Sequence, residues 1–120
     1  MRRFTTHNQQ KGRVGEDFAV MLLNKLNYTV IERNYTKRVG EIDIIAMKGS
    51  QIYFFEVKKS LNPNYNPLEN ITYKKLQSLR KTAFLYLSSK GLLKNANYSI
   101  GVIGIKQKGK LLQIDLMENA

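Results

Sequence analysis

Apolar residues recur at helical spacing across residues 13–26, where Val14, Phe18, Met21, Leu22 and Leu26 make one face. This predicts a first helix, with Glu16 on the flank beside Ala19 and Leu23 and with Asn27 able to end it. Residues 28–34 read as a first strand. The pattern then becomes β-branched and aromatic over residues 40–47 and 51–58, and Lys48-Gly49-Ser50 between them is a turn signal, which predicts a hairpin. Thr72 can cap a second helix running to about Lys90, with Leu76, Leu79, Ala83 and Leu87 facing inward and Gly91 ending it. Residues 98–106 and 111–116 read as two more strands joined by a turn at Lys108-Gly109. Residues 1–11 are polar and expected to be loose, and the Asn/Pro-rich stretch 59–70 has no period and reads as a mobile loop. The order is helix, three strands, helix, two strands, in one α/β domain over residues 1–120 with no internal repeat.

The hairpin brings in chemistry. If its loop is the two residues Gly49-Ser50, the register puts Asp43 opposite Glu56 and Glu41 opposite Lys58, all on one face. Two opposed carboxylates repel each other, and a divalent cation relieves that repulsion. Carboxylate oxygens suit Mg²⁺ (or Mn²⁺), so Asp43 and Glu56 are candidate metal ligands with the Val57 backbone carbonyl as a third oxygen. Lys58 can hold an attacking water or stabilise charge on a five-coordinate phosphorus. Glu16 can reach the same place from the first helix, as a metal or water ligand. The set suits hydrolysis of a phosphodiester. Residue types alone leave a plainer reading open: Glu41–Lys58 as a cross-strand ion pair, Asp43 and Glu56 facing solvent, and Glu16 as a first-turn acid favoured by the helix dipole.

Charge changes the picture of what the chain meets. Lys and Arg number 20 against nine Asp and Glu, for a net charge of +11 and a pI near 10.0. That favours a polyanionic partner, nucleic acid before an anionic membrane surface. Lys74, Lys75, Arg80 and Lys81 of the second helix, with Arg13 at the start of the first, are candidate phosphate contacts. There are no cysteines, which excludes disulfides and thiolate metal sites and fits a cytoplasmic location. No apolar run approaches the ~18–20 residues of a membrane span, and the basic N-terminus lacks the apolar core of a signal peptide. His7 stands alone and has no assigned role; Tyr65 in the loop is an ordinary loop tyrosine or a stacking residue; Tyr53, Phe54 and Phe55 read as core. No P-loop, G-x-S-x-G or His/Cys metal motif occurs.

Gly12-Arg13-Val14-Gly15-Glu16, Asn27-Tyr28, Arg33-Asn34, Gly40-Glu41-Ile42-Asp43-Ile44-Ile45-Ala46 and Phe55-Glu56-Val57-Lys58, in that order and spacing, closely resemble the YraN family of small bacterial proteins. That family looks like a branch of the PD-(D/E)XK nuclease superfamily, whose relatives include the archaeal-type Holliday junction resolvases. The similarity runs from about Lys11 to the end, through Pro67-Leu68-Glu69-Asn70-Ile71-Thr72 and the basic helix. It implies a restriction-endonuclease-like αβββαβ core, a mixed central sheet flanked by helices. It implies Mg²⁺ on Asp43 and Glu56, Lys58 as the catalytic lysine and Glu16 completing the acidic site. Lys75 falls where relatives carry a basic residue at the start of the second helix, which makes it a candidate contact to substrate phosphate. One departure stands out: many family members have an acid in the strand that here reads Ile100-Gly101-Val102-Ile103, and this chain has Gly101.

The expectation is a Mg²⁺-dependent endonuclease acting on DNA more than RNA, on branched or structured DNA by analogy with the resolvases, and by the same analogy a homodimer. The alternative is a non-catalytic nucleic-acid-binding accessory protein with a vestigial nuclease site. A basic scaffold for protein partners is a third reading.

Overall fold

Two faces of one sheet account for where the apolar residues go. The computed structural model describes residues 1–7, 15–60, 62, 64, 66, 68 and 71–120. Its elements are β1 (Arg2–His7), α1 (Glu16–Lys25), β2 (Thr29–Lys37), β3 (Gly40–Lys48), β4 (Gln51–Ser60), α2 (Tyr73–Ser89), β5 (Asn97–Lys108) and β6 (Leu111–Met117). The sheet order is β1-β6-β5-β4-β3-β2. Among the described strands only β4 and β5 run parallel, and α2 lies in the crossover between them. The result is the expected mixed sheet flanked by helices, a restriction-endonuclease-like α/β fold. No described helix is long and apolar enough to cross a membrane.

Side-chain alternation along β4 sorts the core. Phe55 packs with Ala19 and Leu23 of α1 and with Ile103, Ile105, Ile114 and Leu116. Ile52 and Phe54 pack on the opposite face with Leu79, Ala83, Tyr86 and Leu87 of α2. The side chain of Thr72 accepts the backbone N–H of Lys75 at 3.1 Å, capping α2 as its sequence predicts. Gly40 opens β3 at φ 154°, and a Cβ there would run into the Ser78 hydroxyl, so glycine is what lets β3 begin directly under α2. Ser78 completes the junction by donating to the Val39 carbonyl at 2.6 Å.

The structure corrects the sequence reading of the elements in several places. The buried stripe of α1 centres on Ala19 and Leu23, while Met21 is 53% exposed. Glu16 precedes Ala19 by three and therefore lies on the inward face, not on its flank. Residues 2–7 are not loose: β1 pairs antiparallel with β6 along its whole length. Arg3 holds buried Asp115 through two hydrogen bonds of 2.8 and 3.2 Å, and Phe4 packs on the α1-side core. Both interactions reach more than a hundred residues along the chain, where local patterning is silent. Strand β4 also continues to Ser60, because it stays paired to β5 as far as Lys106. The expected loose stretch 8–11 lies outside the described residues, as do residues 61, 63, 65, 67, 69 and 70 of the expected loop.

Candidate metal and phosphate site

The β3–β4 ladder runs from Lys48–Gln51 to Ile44–Phe55, the register expected from a Gly49-Ser50 loop. One further step would set Asp43 against Glu56, but the ladder ends. Each strand stays tied to its outer neighbour, β3 to β2 as far as Gly40 and β4 to β5 as far as Ser60. The result is a notch between the two strands, with Asp43 on one lip and Glu56, Val57 and Lys58 on the other. Asp43 Oδ2 spans it, accepting the backbone N–H of Val57 at 2.7 Å. Glu41 does not meet Lys58: it pairs across to Thr36 of β2 and is exposed.

Glu56 is 7% exposed, a rare place for a carboxylate. It points to the α2 face, where Lys75 Nζ lies 3.4 Å from its Oε2. That contact is an ion pair without hydrogen-bond alignment, so Oε2 is buried with no donor. Burial raises the Glu56 pKa, the negative charge of Asp43 raises it further, and the charges of Lys75 and Lys58 pull it partway back. Lys58, two residues along the same strand face, thus already acts electrostatically on Glu56.

Asp43 is raised chiefly by burial, against the Val57 N–H, which favours its ionised form. Glu16 and Glu41 raise it as well, and Lys75 opposes them. Glu16 acts on Asp43 through its charge while its carboxylate is held elsewhere. Arg33 Nη2 lies 3.5 Å from Glu16 Oε2 and 2.9 Å from Asp17 Oδ1. With its amide turned to suit its neighbours, Asn34 donates to both Glu16 oxygens at 3.1 and 3.2 Å. Consecutive strand residues normally face opposite ways, yet Arg33 and Asn34 reach the same carboxylate. The cause is the left-handed backbone of Asn34, φ 54°. The flanking pairs Arg33–Ile44 and Tyr35–Ile42 place this kink across from Asp43. β3 is irregular there too: Ile42 joins Ile45 in the α2-side core, while Ile44 joins the α1-side core. The roles of Arg33 and Asn34 were not read from sequence, although both belong to the motif set; an asparagine inside a strand pattern is the signal that marks such a kink.

The pH dependence of metal-free stability follows from these raised values. A carboxyl whose folded pKa lies above its unfolded value favours folding below the ordinary carboxylate range and loses that contribution as pH rises through the raised value. In EDTA, the melting temperature of wild type relative to Asp43→Asn should therefore fall as pH is taken from about 4 to about 7. Asparagine keeps an oxygen for Val57 and cannot ionise. A difference that stays flat across that range would contradict the assignment.

The candidate phosphate contacts separate into two groups. Lys75 is half-buried against Glu56, whereas Lys74, Arg80 and Lys81 are exposed on α2. Arg13 lies outside the described residues. The first turn of α2 holds Lys74 and Lys75 and no acid. Cations there oppose the helix dipole at about 0.3–1 kcal/mol each, a local cost that an incoming anion would reverse.

Among the described residues no group of three or more His, Cys, Asp or Glu side chains is placed to hold a metal. The site offers two carboxylates and neighbouring backbone oxygen. That donor set fits a hydrated Mg²⁺ that takes the rest of its ligands from water and phosphate, and not a dedicated protein cage. The Glu56 Oε2 fits as well: its charge is met by the Lys75 ammonium 3.4 Å away, but it accepts no hydrogen bond and keeps that acceptor capacity for another partner.

A family model described as "Uncharacterised protein family UPF0102" matches residues 15–117. A UPF0102 protein of Dictyoglomus turgidum is 37% identical over 116 residues, covering 95% of this chain and 98% of its own length. A UPF0102 protein of Clostridium kluyveri is 43% identical over 99 residues, covering 82% and 80%. One from Thermotoga neapolitana is 45% identical over 80 residues, covering 67% and 74%. The notch residues 43 and 56–58, with Glu16 and Lys75, all fall inside the matched span.

Proposed function

The chain belongs to the UPF0102 family, the YraN-type branch of the PD-(D/E)XK nuclease superfamily, and from that premise we propose that it is a Mg²⁺-dependent endonuclease acting on DNA. The observation that carries this reading is the notch itself: two carboxylates whose pKa values burial raises, one buried oxygen without a donor, and a lysine two residues along the same strand face. Asp43 and Glu56, with the Val57 carbonyl, would hold Mg²⁺ or Mn²⁺. When bound, the ion neutralises phosphate charge and acidifies water. Lys58 orients the attacking water and stabilises the negative charge that gathers on the phosphoryl oxygens. Lys75 neutralises Glu56 before the ion arrives and meets a phosphate of the substrate afterwards. Glu16, anchored by Arg33 and Asn34, keeps negative charge beside Asp43 and so strengthens its attraction for a cation.

Lys74, Lys75, Arg80 and Lys81 would position the backbone without reading sequence. If all four meet duplex phosphates, log affinity should fall against log salt with a slope of about −3.6, and Lys74→Ala should reduce it by about 1. A slope near zero would rule out polynucleotide binding.

The deciding experiment is cleavage of labelled duplex, single-stranded, flapped and four-way DNA and structured RNA, each with Mg²⁺ or Mn²⁺. Metal-dependent cutting that disappears in Lys58→Ala supports the nuclease and names its substrate. Equal residual cutting by both proteins indicates contamination. Binding without cutting moves the reading to a nucleic-acid-binding accessory protein with a vestigial site.

A further inference from the structure

Helix α2 carries a second, chemically different face. Leu79, Ala83, Tyr86 and Leu87 fill its inward side. Outward, Phe84 is 57% exposed, and Tyr98 at the start of β5 is 49% exposed. Both line one shallow surface depression of about 420 Å³, together with Val39, Leu85, Arg80 and Lys81. Neither cation pairs with an acid among the described residues. The depression is therefore aromatic and cationic together, and its occupant must offer both a flat apolar surface and negative charge.

Three occupants can be weighed on that requirement. A second copy of this chain brings its own Arg80 and Lys81 and its own net charge of +11, so a symmetric contact would set like charges together. A blunt duplex supplies phosphates but keeps its base faces stacked inside. Unpaired nucleotides supply both parts: their phosphates meet the two cations, and their bases stack on the rings. Phe84 stands nine residues after Lys75, about 14 Å along the helix axis and two and a half turns round, on the opposite side of the helix. A strand running from the notch to this face therefore has to round α2.

We propose that the outer face of α2, built from Arg80, Lys81, Phe84 and Tyr98, is a stacking subsite for unpaired nucleotides next to the cleavage site. The substrate is then a nucleic acid with a single-stranded or splayed segment. The words "next to the cleavage site" rest on the nuclease reading; the subsite itself does not.

The test measures binding of a fluorescent dT12 oligonucleotide and a blunt duplex of equal length in EDTA, so that no cleavage is involved. Phe84→Ala is expected to weaken dT12 binding roughly tenfold or more and to leave duplex binding within about twofold. The chain contains no tryptophan, so Phe84→Trp installs a single reporter. Its fluorescence should be quenched by dT12 and unaffected by the duplex, with dT12 affinity retained. Equal dT12 affinity for wild type and Phe84→Ala, with no quenching in Phe84→Trp, overturns the proposal. Quenching by a glutamate-rich peptide containing phenylalanine, and not by dT12, overturns it in favour of a protein partner. If Phe84→Ala melts before the assay temperature, quenching in Phe84→Trp decides alone. Lys58→Ala separates the two readings: lost cleavage with unchanged dT12 affinity supports both, and dT12 binding in a protein that never cuts retains the subsite and removes the nuclease.

Discussion

Lys58→Ala is expected to lower metal-dependent phosphodiester cleavage by about 10²–10⁴-fold, the range for removing a group that handles the proton or the developing charge in a transition state. Its effect on folding should be small, because Lys58 is half-exposed and pairs with no acid among the described residues. The metal-induced rise in melting temperature should survive in Lys58→Ala and vanish in Asp43→Ala. That contrast separates the residue that handles the reaction from one that holds the ion. Glu56→Gln offers an internal control: it removes a negative charge that burial and Asp43 disfavour more than the two lysines compensate, so it should stabilise the metal-free protein at neutral pH while abolishing cleavage. Full activity in Lys58→Ala would refute the proposed role outright.

The second large effect is on stability. Gly101→Asp introduces the acid that the family resemblance leads one to expect in this strand, and it should cost upward of about 3 kcal/mol, with soluble yield falling accordingly. A Cβ at Gly101 would stand 2.6 Å from Phe55 Cε1 and 2.7 Å from the Met117 carbonyl oxygen. The ring can move only by opening the α1-side core, and the carbonyl belongs to the β6 backbone. An aspartate adds a carboxylate with no cation provided for it. Gly101→Ala isolates the steric part, at about 1–3 kcal/mol. Pairing Gly101→Ala with Phe55→Leu should recover part of that loss, since leucine vacates the clashing ring edge. Denaturation midpoints for the four proteins give the coupling. In this chain the glycine is therefore required by packing, and β5 contributes no acid to the notch.

Much of this was legible from residue pattern, for identifiable reasons. The hairpin register followed from a two-residue turn and period-two alternation, both local. Thr72 and Gly91 marked the limits of α2 by capping chemistry, which is also local; Gly91 sits at φ 69°. What escaped involved departures from period or distant partners. The α1 face was offset rather than missed: Phe18, Leu22 and Leu26 pack on the core as expected, but Met21 is apolar yet exposed and small Ala19 is fully buried, so counting large apolar residues put the centre to one side. The Glu16 anchorage depends on a left-handed Asn34 that reverses alternation, and no periodicity rule reports it. The Lys75–Glu56 ion pair joins α2 to β4 across a crossover, where sequence offered only the resemblance.

Strand β1 has a consequence for how the molecule is made. Its partner β6 is synthesised more than a hundred residues later, as the 112-residue separation of Arg3 and Asp115 measures. During translation the first strand must wait unpaired while everything between it and β6 leaves the ribosome. Asp115 is 3% exposed once folded, so this sheet edge closes only when the waiting arginine is there to receive it. A nascent chain halted before β6 would therefore expose the outer edge of β5, an open template for intermolecular strand pairing. Expression yield should thus depend on the chain's own vectorial timetable as well as on the stability of the finished fold.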